Sequence, residues 1–251
     1  MKQHFLSIDI SLNPYRQFVD DLVELARSGA SGYTCVANVH MLVEAANDKN
    51  FASIVNNATI CTPDGMPLVW GLKLLYGIEQ DRVAGMDLLP DLLKETERHG
   101  IPVYFYGGTP ETIDNTRYYI SQHYPQLKVA GMYSPPFRVI DQDEEREIVN
   151  NINNGRPGIV FVALGCPKQE KWMAAMKDRI SATMIGIGGA LPVMIGMQKR
   201  APSWARNAGL EWLYRLAQEP KRLFKRYAVT NSKFLWLLFK TKMRLLSKSG
   251  N

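Results

Sequence analysis

Short apolar, β-rich runs recur along the chain at Tyr33–Val39, Thr59–Cys61, Val103–Tyr106, Lys128–Met132, Ile159–Leu164 and Thr183–Ile187. Most lack a polar residue at every second position, which predicts strands covered on both faces. Between them fall helical patterns, among them Asp87–His99, Pro110–His123, Glu144–Asn154 and Pro167–Arg179. Strands alternating with helices predict βαβ units, and so an α/β fold: a Rossmann-like, mostly parallel sheet with flanking helices. An opening run at Phe5–Asp9, followed by a helix from about Pro14, predicts one further strand at the sheet edge.

The pattern changes after Gly196. Lys199-Arg200-Ala201-Pro202 interrupts it, strand-like runs stop, and helical patterns follow at Leu210–Gln218, Pro220–Tyr227 and about Asn231–Leu246. Pro220 suits a first helical turn, where its missing N–H is no loss. The chain therefore divides into an α/β body, residues 1–198, and a basic C-terminal helical appendage, residues 199–251. No internal repeat or low-complexity tract is present.

With 251 residues, 46% of them hydrophobic and 22% charged, the composition is that of a soluble globular protein. Charge distinguishes the two parts. Residues 1–198 carry 17 Lys and Arg against 22 Asp and Glu, whereas residues 199–251 carry 13 against 2. Such an appendage is expected to meet something anionic: a membrane surface, a diphosphate or nucleic acid. Cys35, Cys61 and Cys166 are odd in number, widely spaced and set among apolar residues, which predicts buried thiols in a reducing compartment. No secretory signal is evident at the start, and no run approaches the ~20 apolar residues that cross a bilayer. A cytoplasmic protein, peripheral on the inner face of the plasma membrane, is expected.

In open α/β sheets, ligands lie beyond the carboxyl ends of the strands. Those ends here carry Asn38, Asp64-Gly65, Gly107-Gly108, the segment Gly165-Cys166-Pro167-Lys168-Gln169-Glu170, and Gly188-Gly189. Each Gly-Gly taken singly is an ordinary turn. Together they let backbone N–H groups approach a phosphate, with helix N-termini favouring negative charge. Neither Gly-x-Gly-x-x-Gly nor a P-loop occurs, which argues against the commonest dinucleotide and ATP folds. Asp64 directly follows a strand and precedes a glycine; it reads either as a general base or as the anchor of an Asx turn or helix N-cap. Gln169 reads as a ligand to a nucleotide or sugar, or as part of an ordinary helix start after Pro167. Arg82 reads as a phosphate partner or as half of a surface ion pair. Asp141-Gln142-Asp143 matches the metal-binding Asp-x-Asp of many nucleotide-sugar transferases, but it opens a helix in an acidic run, where carboxylates complement the dipole. His4, His40, His99 and His123 lack the spacing of a zinc site, and no Gly-x-Ser-x-Gly elbow occurs. No metal and no cofactor are expected.

In the appendage, Arg206, Arg215, Lys221, Arg222, Lys225 and Arg226 interleave with Trp204, Trp212, Tyr214, Phe224 and Tyr227, and the apolar run Phe234–Phe239 sits between Lys233 and Lys240. Such a helix can lie in the headgroup layer with its lysines snorkelling. It can also bind nucleic acid, or pack on the body with a solvated charged face. Its leucine and tryptophan content favours an anionic membrane surface, and no nucleic-acid partner is expected.

These residues resemble those of the WecG/TagA/CpsF glycosyltransferases, glycosyltransferase family 26. The matching segments are Thr62-Pro63-Asp64-Gly65, Arg82-Val83-Ala84-Gly85-Met86-Asp87, Phe105-Tyr106-Gly107-Gly108, Gly165 to Glu170, Gly186-Ile187-Gly188-Gly189, Lys199-Arg200-Ala201-Pro202 and Leu210 to Leu216, in the family's order. The resemblance implies an inverting, metal-independent transfer of a sugar from a UDP-sugar to a polyprenyl-diphosphate-linked saccharide in cell-surface polysaccharide synthesis. By it, Asp64 falls on the proposed catalytic base, Asn38 and Gln169 on active-site polar residues, and Arg82 on a residue near the donor. Gly107, Gly108, Gly165, Lys168, Gly188 and Gly189 are expected around the donor, and His40, Arg215, Arg222 and Arg226 around the acceptor and its diphosphate. Family members often carry Thr and Glu where this chain has Val36 and His40, and many carry Asp where it has Pro192. These departures suggest a donor other than the familiar N-acetylmannosamine types. The alternative is a non-catalytic, membrane-peripheral nucleotide-sugar-binding protein; self-association is left open.

Overall fold

The computed structural model describes residues 1–249, apart from the side chains of Asn207, Arg222, Lys248 and Ser249. It opens with an antiparallel hairpin, β1 (Lys2–Phe5) and β2 (Ile8–Ser11), that stands apart from the main sheet. The edge strand expected at Phe5–Asp9 does not form, because Leu6, at φ 60°, reverses the chain within that run. Phe5, Ile8 and Ile10 are nonetheless fully buried. The apolar run marks core positions, and only its pairing partner is local.

Helix α1 (Tyr15–Arg27) follows Pro14 as expected, then β3 (Gly32–Ala37), α2 (Val39–Asn47), α3 (Lys49–Asn56), β4 (Ile60–Pro63), α4 (Met66–Tyr76) and α5 (Gly85–His99). After them come β5 (Val103–Gly107), α6 (Pro110–His123), β6 (Val129–Tyr133), α7 (Gln142–Asn154), β7 (Ile159–Ala163), α8 (Lys168–Met176) and β8 (Thr183–Gly186). The six strands β3–β8 make one all-parallel sheet in the order β4-β3-β8-β7-β5-β6. In β7, Val160 and Val162 pack on one side with Tyr104, Tyr106 and Met184. Ile159 and Phe161 pack on the other with Val103, Phe105 and Ile185. These four side chains are fully buried, which is why the run carries no polar alternation.

The chain leaves adjacent strands β3 and β8 toward opposite faces. After β3, α2 buries Met41 and Leu42 in the layer that also holds α3, α4 and α8. After β8, the short α9 (Ala190–Met194) buries Ala190 and Leu191 against the layer of α1 and α5. Such a divergence opens a crevice beyond the carboxyl ends of the two strands, the usual ligand position in this architecture.

The C-terminal segment folds as α10 (Ser203–Asn207), α11 (Glu211–Gln218) and α12 (Pro220–Ser249). Two helices were expected where α12 is continuous, since residues 228–230 contain neither glycine nor proline to interrupt it. It packs on α2 and α4. Phe5 keys this contact: its ring lies 6.5 Å from that of Phe234, and Gly71 in α4 makes room, because a Cβ there would come within 2.5 Å of the Phe5 ring. No helix among the described residues is long and apolar enough to cross a membrane. Replacing Phe5 with Ala removes this key; an equilibrium urea titration should show a loss of about 3–5 kcal/mol, the usual cost of truncating a fully buried phenylalanine.

Candidate active site

A cavity of about 660 Å³ occupies the crevice, floored by the ends of β3, β4 and β8 and roofed by α11 and α12. Its position follows from the connections, and its chemistry from the residues at the turns. β3 ends at Ala37, so Asn38 becomes the N-cap of α2, its Oδ1 accepting from the Met41 N–H at 3.2 Å. That capping bond leaves the Asn38 Nδ2 as the group available to the cavity.

Asp64 follows β4. Gly65, at φ 101°, takes the N-cap position of α4, and no side chain caps that helix. Of the two readings that the Pro63-Asp64-Gly65 turn allows, the capping one is therefore not realised, and Asp64 lines the cavity. Burial raises its carboxyl to about 7, with Glu211 and Asp87 adding to the shift and Arg215 and Arg82 opposing it.

Gln169, in the first turn of α8, is almost fully buried. Its Oε1 accepts from the Gly165 N–H at 3.1 Å, and its Nε2 donates to Glu170 Oε1 at 2.7 Å. Gly186 and Gly188 admit the amide: a Cβ on either would stand 2.8 or 3.2 Å from it. One Nε2 hydrogen is left over. Glu170 is fully buried beside the Cys166 thiol, and burial raises its carboxyl.

The opposite wall is cationic. Asp87 accepts from Arg82 at 2.8 Å and from Arg200, and Arg206 lies 3.6 Å from it. Glu211 accepts from Arg82 at 3.0 Å and lies 3.8 Å from Arg215. Four guanidinium groups thus share two carboxylates, and the Nε atoms of Arg200 and Arg206 are buried without a partner. The surplus of positive charge and of N–H donors suits a diphosphate. Farther along, His40 lies 3.5 Å from Glu44; burial, together with Arg226 nearby, pushes its pKa down against the pull of Glu44.

Asn38, His40, Asp64, Arg82, Gly165, Gln169, Gly188, Gly189, Arg215 and Arg226 all line this cavity. Gly107, Gly108 and Lys168 do not. Gly107, at φ 118°, lets β5 run past β7, since a Cβ there would touch the Ala163 backbone at 2.6 Å, and a Cβ on Gly108 would meet the Thr112 side chain at 2.8 Å. Close packing against Ala163 and Thr112 accounts for glycine at both positions. Arg222 lies outside the residues whose side chains are described. Asp141 caps α7 in a reciprocal box with Glu144, as the acidic run predicts. Among the described residues, no three His, Cys, Asp or Glu side chains are grouped to hold a metal ion. Cys35 and Cys61 are buried thiols, and Cys166 is partly exposed.

Asp87, Arg200, Glu211 and Glu170 carried no individual role in the sequence reading. They sat inside matching segments, but nothing in the linear pattern says that Asp87 and Glu211 face each other across the seam between body and appendage. The three departures, Val36, His40 and Pro192, also line the cavity.

A model of the glycosyl transferase WecG/TagA/CpsF family matches residues 3–248. A Bacillus spizizenii protein named N-acetylglucosaminyldiphosphoundecaprenol N-acetyl-beta-D-mannosaminyltransferase is 34% identical over 191 residues, 76% of this chain and 72% of its own. Proteins of the same name from Bacillus subtilis (32% over 199 residues, 77% and 76%) and Staphylococcus aureus (27% over 225 residues, 88% and 87%) are also similar.

The raised Asp64 carboxyl has a consequence for stability. Its pKa is about 7 in the fold against about 3.9 for a free aspartate, so the native state holds a proton that the unfolded chain has released, and stability falls as pH rises between those values. Asp64→Asn carries no such charge. Its melting temperature should exceed that of the native chain above pH about 7, with the difference vanishing toward pH about 4, as read by thermal scans across that range.

Proposed function

Given that the chain belongs to the WecG/TagA/CpsF family of glycosyl transferases, we propose that it transfers a sugar from a UDP-sugar to a saccharide carried on a polyprenyl diphosphate. Asp64 acts as the base. The observation that carries this reading is a carboxylate left uncapped on the cavity wall, with its proton affinity tuned near neutrality, facing a surplus of arginine. A base works best when its pKa lies near the working pH.

The step is a single in-line displacement. An acceptor hydroxyl attacks the anomeric carbon, Asp64 takes its proton, and the bond to UDP breaks on the opposite face. The relatives' names specify a β-linked product, which an α-linked nucleotide sugar yields by inversion. The departing diphosphate develops negative charge, and donors already in place stabilise it. Arg82, Arg206 and Arg215 do this without a metal ion, and Asn38 and Gln169 turn their amide N–H groups toward sugar or phosphate oxygens. Val36, His40 and Pro192 give the sugar pocket its own shape, which favours a donor other than UDP-N-acetylmannosamine.

The appendage also holds the enzyme on the inner face of the membrane. Phe224, Trp236, Phe239, Met243 and Leu246 are each more than half exposed along α12, among Lys221, Lys225, Lys240 and Arg244. Each such cation contributes on the order of 1 kcal/mol near an anionic leaflet.

A UDP-release assay with lipid-linked acceptor tests the reaction. Asp64→Asn should lower kcat by about 10²–10⁴ while UDP-sugar binding persists. For the native enzyme, kcat/KM should rise with pH through a midpoint near 7, because only the ionised Asp64 accepts a proton. An unchanged rate in the variant would remove Asp64 from the mechanism. A thermal-shift panel of UDP-sugars identifies the donor, since selective binding raises the melting temperature by mass action.

A further inference from the structure

The cavity has a second end that the chemistry at Asp64 leaves unused. Along α12, Arg226, Thr230, Asn231, Phe234, Leu235 and Leu238 line it in turn, so the helix face grades from guanidinium through amide and hydroxyl to hydrocarbon. The rise from Arg226 to Leu238 is about 18 Å at 1.5 Å per residue. Across from the apolar end, α4 contributes Trp70 and Leu74, one turn apart. They are 49% and 51% exposed, and Leu235 is 61% exposed. Large apolar side chains left open on the wall of a cavity mark a surface that something apolar covers.

The gap between α4 and α12 is built rather than incidental. At its back, Gly71 admits both Phe5 and Leu238, whose Cδ1 would lie 3.3 Å from an added Cβ. Near Leu74, Lys242 donates from Nζ to the Leu74 carbonyl at 2.9 Å and ties the two helices together. The result is a trough with a hydrocarbon floor, cations at the Arg226 end and an ammonium group at its outer rim.

We infer that this trough holds the first isoprenoid units of the polyprenyl acceptor, so that the protein binds the lipid chain itself and not only the headgroup presented by a bilayer. The inference rests on the transfer reading above for the identity of the amphiphile. Its diphosphate lies at the Arg226 end, its hydrocarbon runs between Trp70 and Leu74 on one side and Leu235 and Leu238 on the other, and the chain leaves beside Lys242. An ammonium on a long aliphatic stem is suited to the headgroup level, where that chain would enter the bilayer.

The test uses the full chain without vesicles, titrated by calorimetry with farnesyl diphosphate and with inorganic diphosphate. Farnesyl diphosphate should bind about tenfold tighter or more, since each buried methylene adds to the affinity. In the Leu74→Gln/Leu235→Gln variant, whose substituted side chains are exposed and leave the fold intact by melting temperature, the ratio of the two affinities should fall toward one. Equal binding of the two ligands by the native chain, or an unchanged ratio in the variant, overturns the inference. So does loss of vesicle flotation in the variant with the prenyl preference intact, which would assign these residues to the bilayer. A prenyl preference without UDP release from any donor would support the trough while refuting the transferase reading. UDP release that ignores the lipid tail would do the reverse.

Discussion

Two adjacent strands, β3 and β8, send the chain to opposite sides of the sheet, and every other feature of the site follows from that divergence. Parallel strands must be linked by crossovers, and where neighbouring crossovers part, the strand ends are left without a covering connection. Asn38 and Gly188 sit at the two lips of the opening, Asp64 one strand outward and Gln169 one strand inward. None of these side chains has to reach far, because the backbone turns already converge.

A crevice at a sheet edge is open on its outer side, and here the appendage closes it. Its attachment is both ionic and apolar. Asp87 and Glu211 hold Arg82, Arg200, Arg206 and Arg215 in one network across the seam. Breaking one member of a partly buried network leaves the others uncompensated, which makes the seam sensitive to single substitutions. On the apolar side, Phe5, Gly71 and Phe234 lock the hairpin, α4 and α12 together. The N-terminal hairpin therefore supports the cavity from a distance, although it contributes nothing to its lining. The same carboxylates that organise the arginines also raise Asp64, so the placement of the arginines and the proton affinity of that carboxyl are coupled.

The structure departs from the sequence pattern at several places, each for its own physical reason. The Phe5–Asp9 run is apolar enough for a sheet strand, yet a single positive φ at Leu6 turns it into a hairpin. Helices α2 and α4 were not singled out because each is apolar on most of its circumference. In α2, Met41, Leu42, Val43 and Ala45 are all buried, and a helix covered on nearly every side shows no 3.6-residue alternation. Gly107-Gly108 looked like a phosphate loop for the same reason that it looks like a strand crossing: a glycine records that something comes close, without recording what.

What the residue order determined by itself was local and periodic. Buried strands, amphipathic helices, the helix start at Asp141, the change of character after Gly196 and the excess of cations beyond it are all set by near neighbours, whose spacing is fixed by backbone geometry. The order also pointed to Asn38, Asp64 and Gln169, because strand-end turns can be found from the strands, whereas Arg82 stood open between a phosphate partner and a surface ion pair. Only the tertiary structure decided which turns meet, that Gly107 and Lys168 stand outside while Val36 and Pro192 stand inside, and that Glu170 sits behind Gln169. It alone set Glu211 beside Arg82, 129 residues apart in the chain. Contacts of that range depend on strand order and on which face each crossover takes, and no periodicity in a linear sequence encodes either.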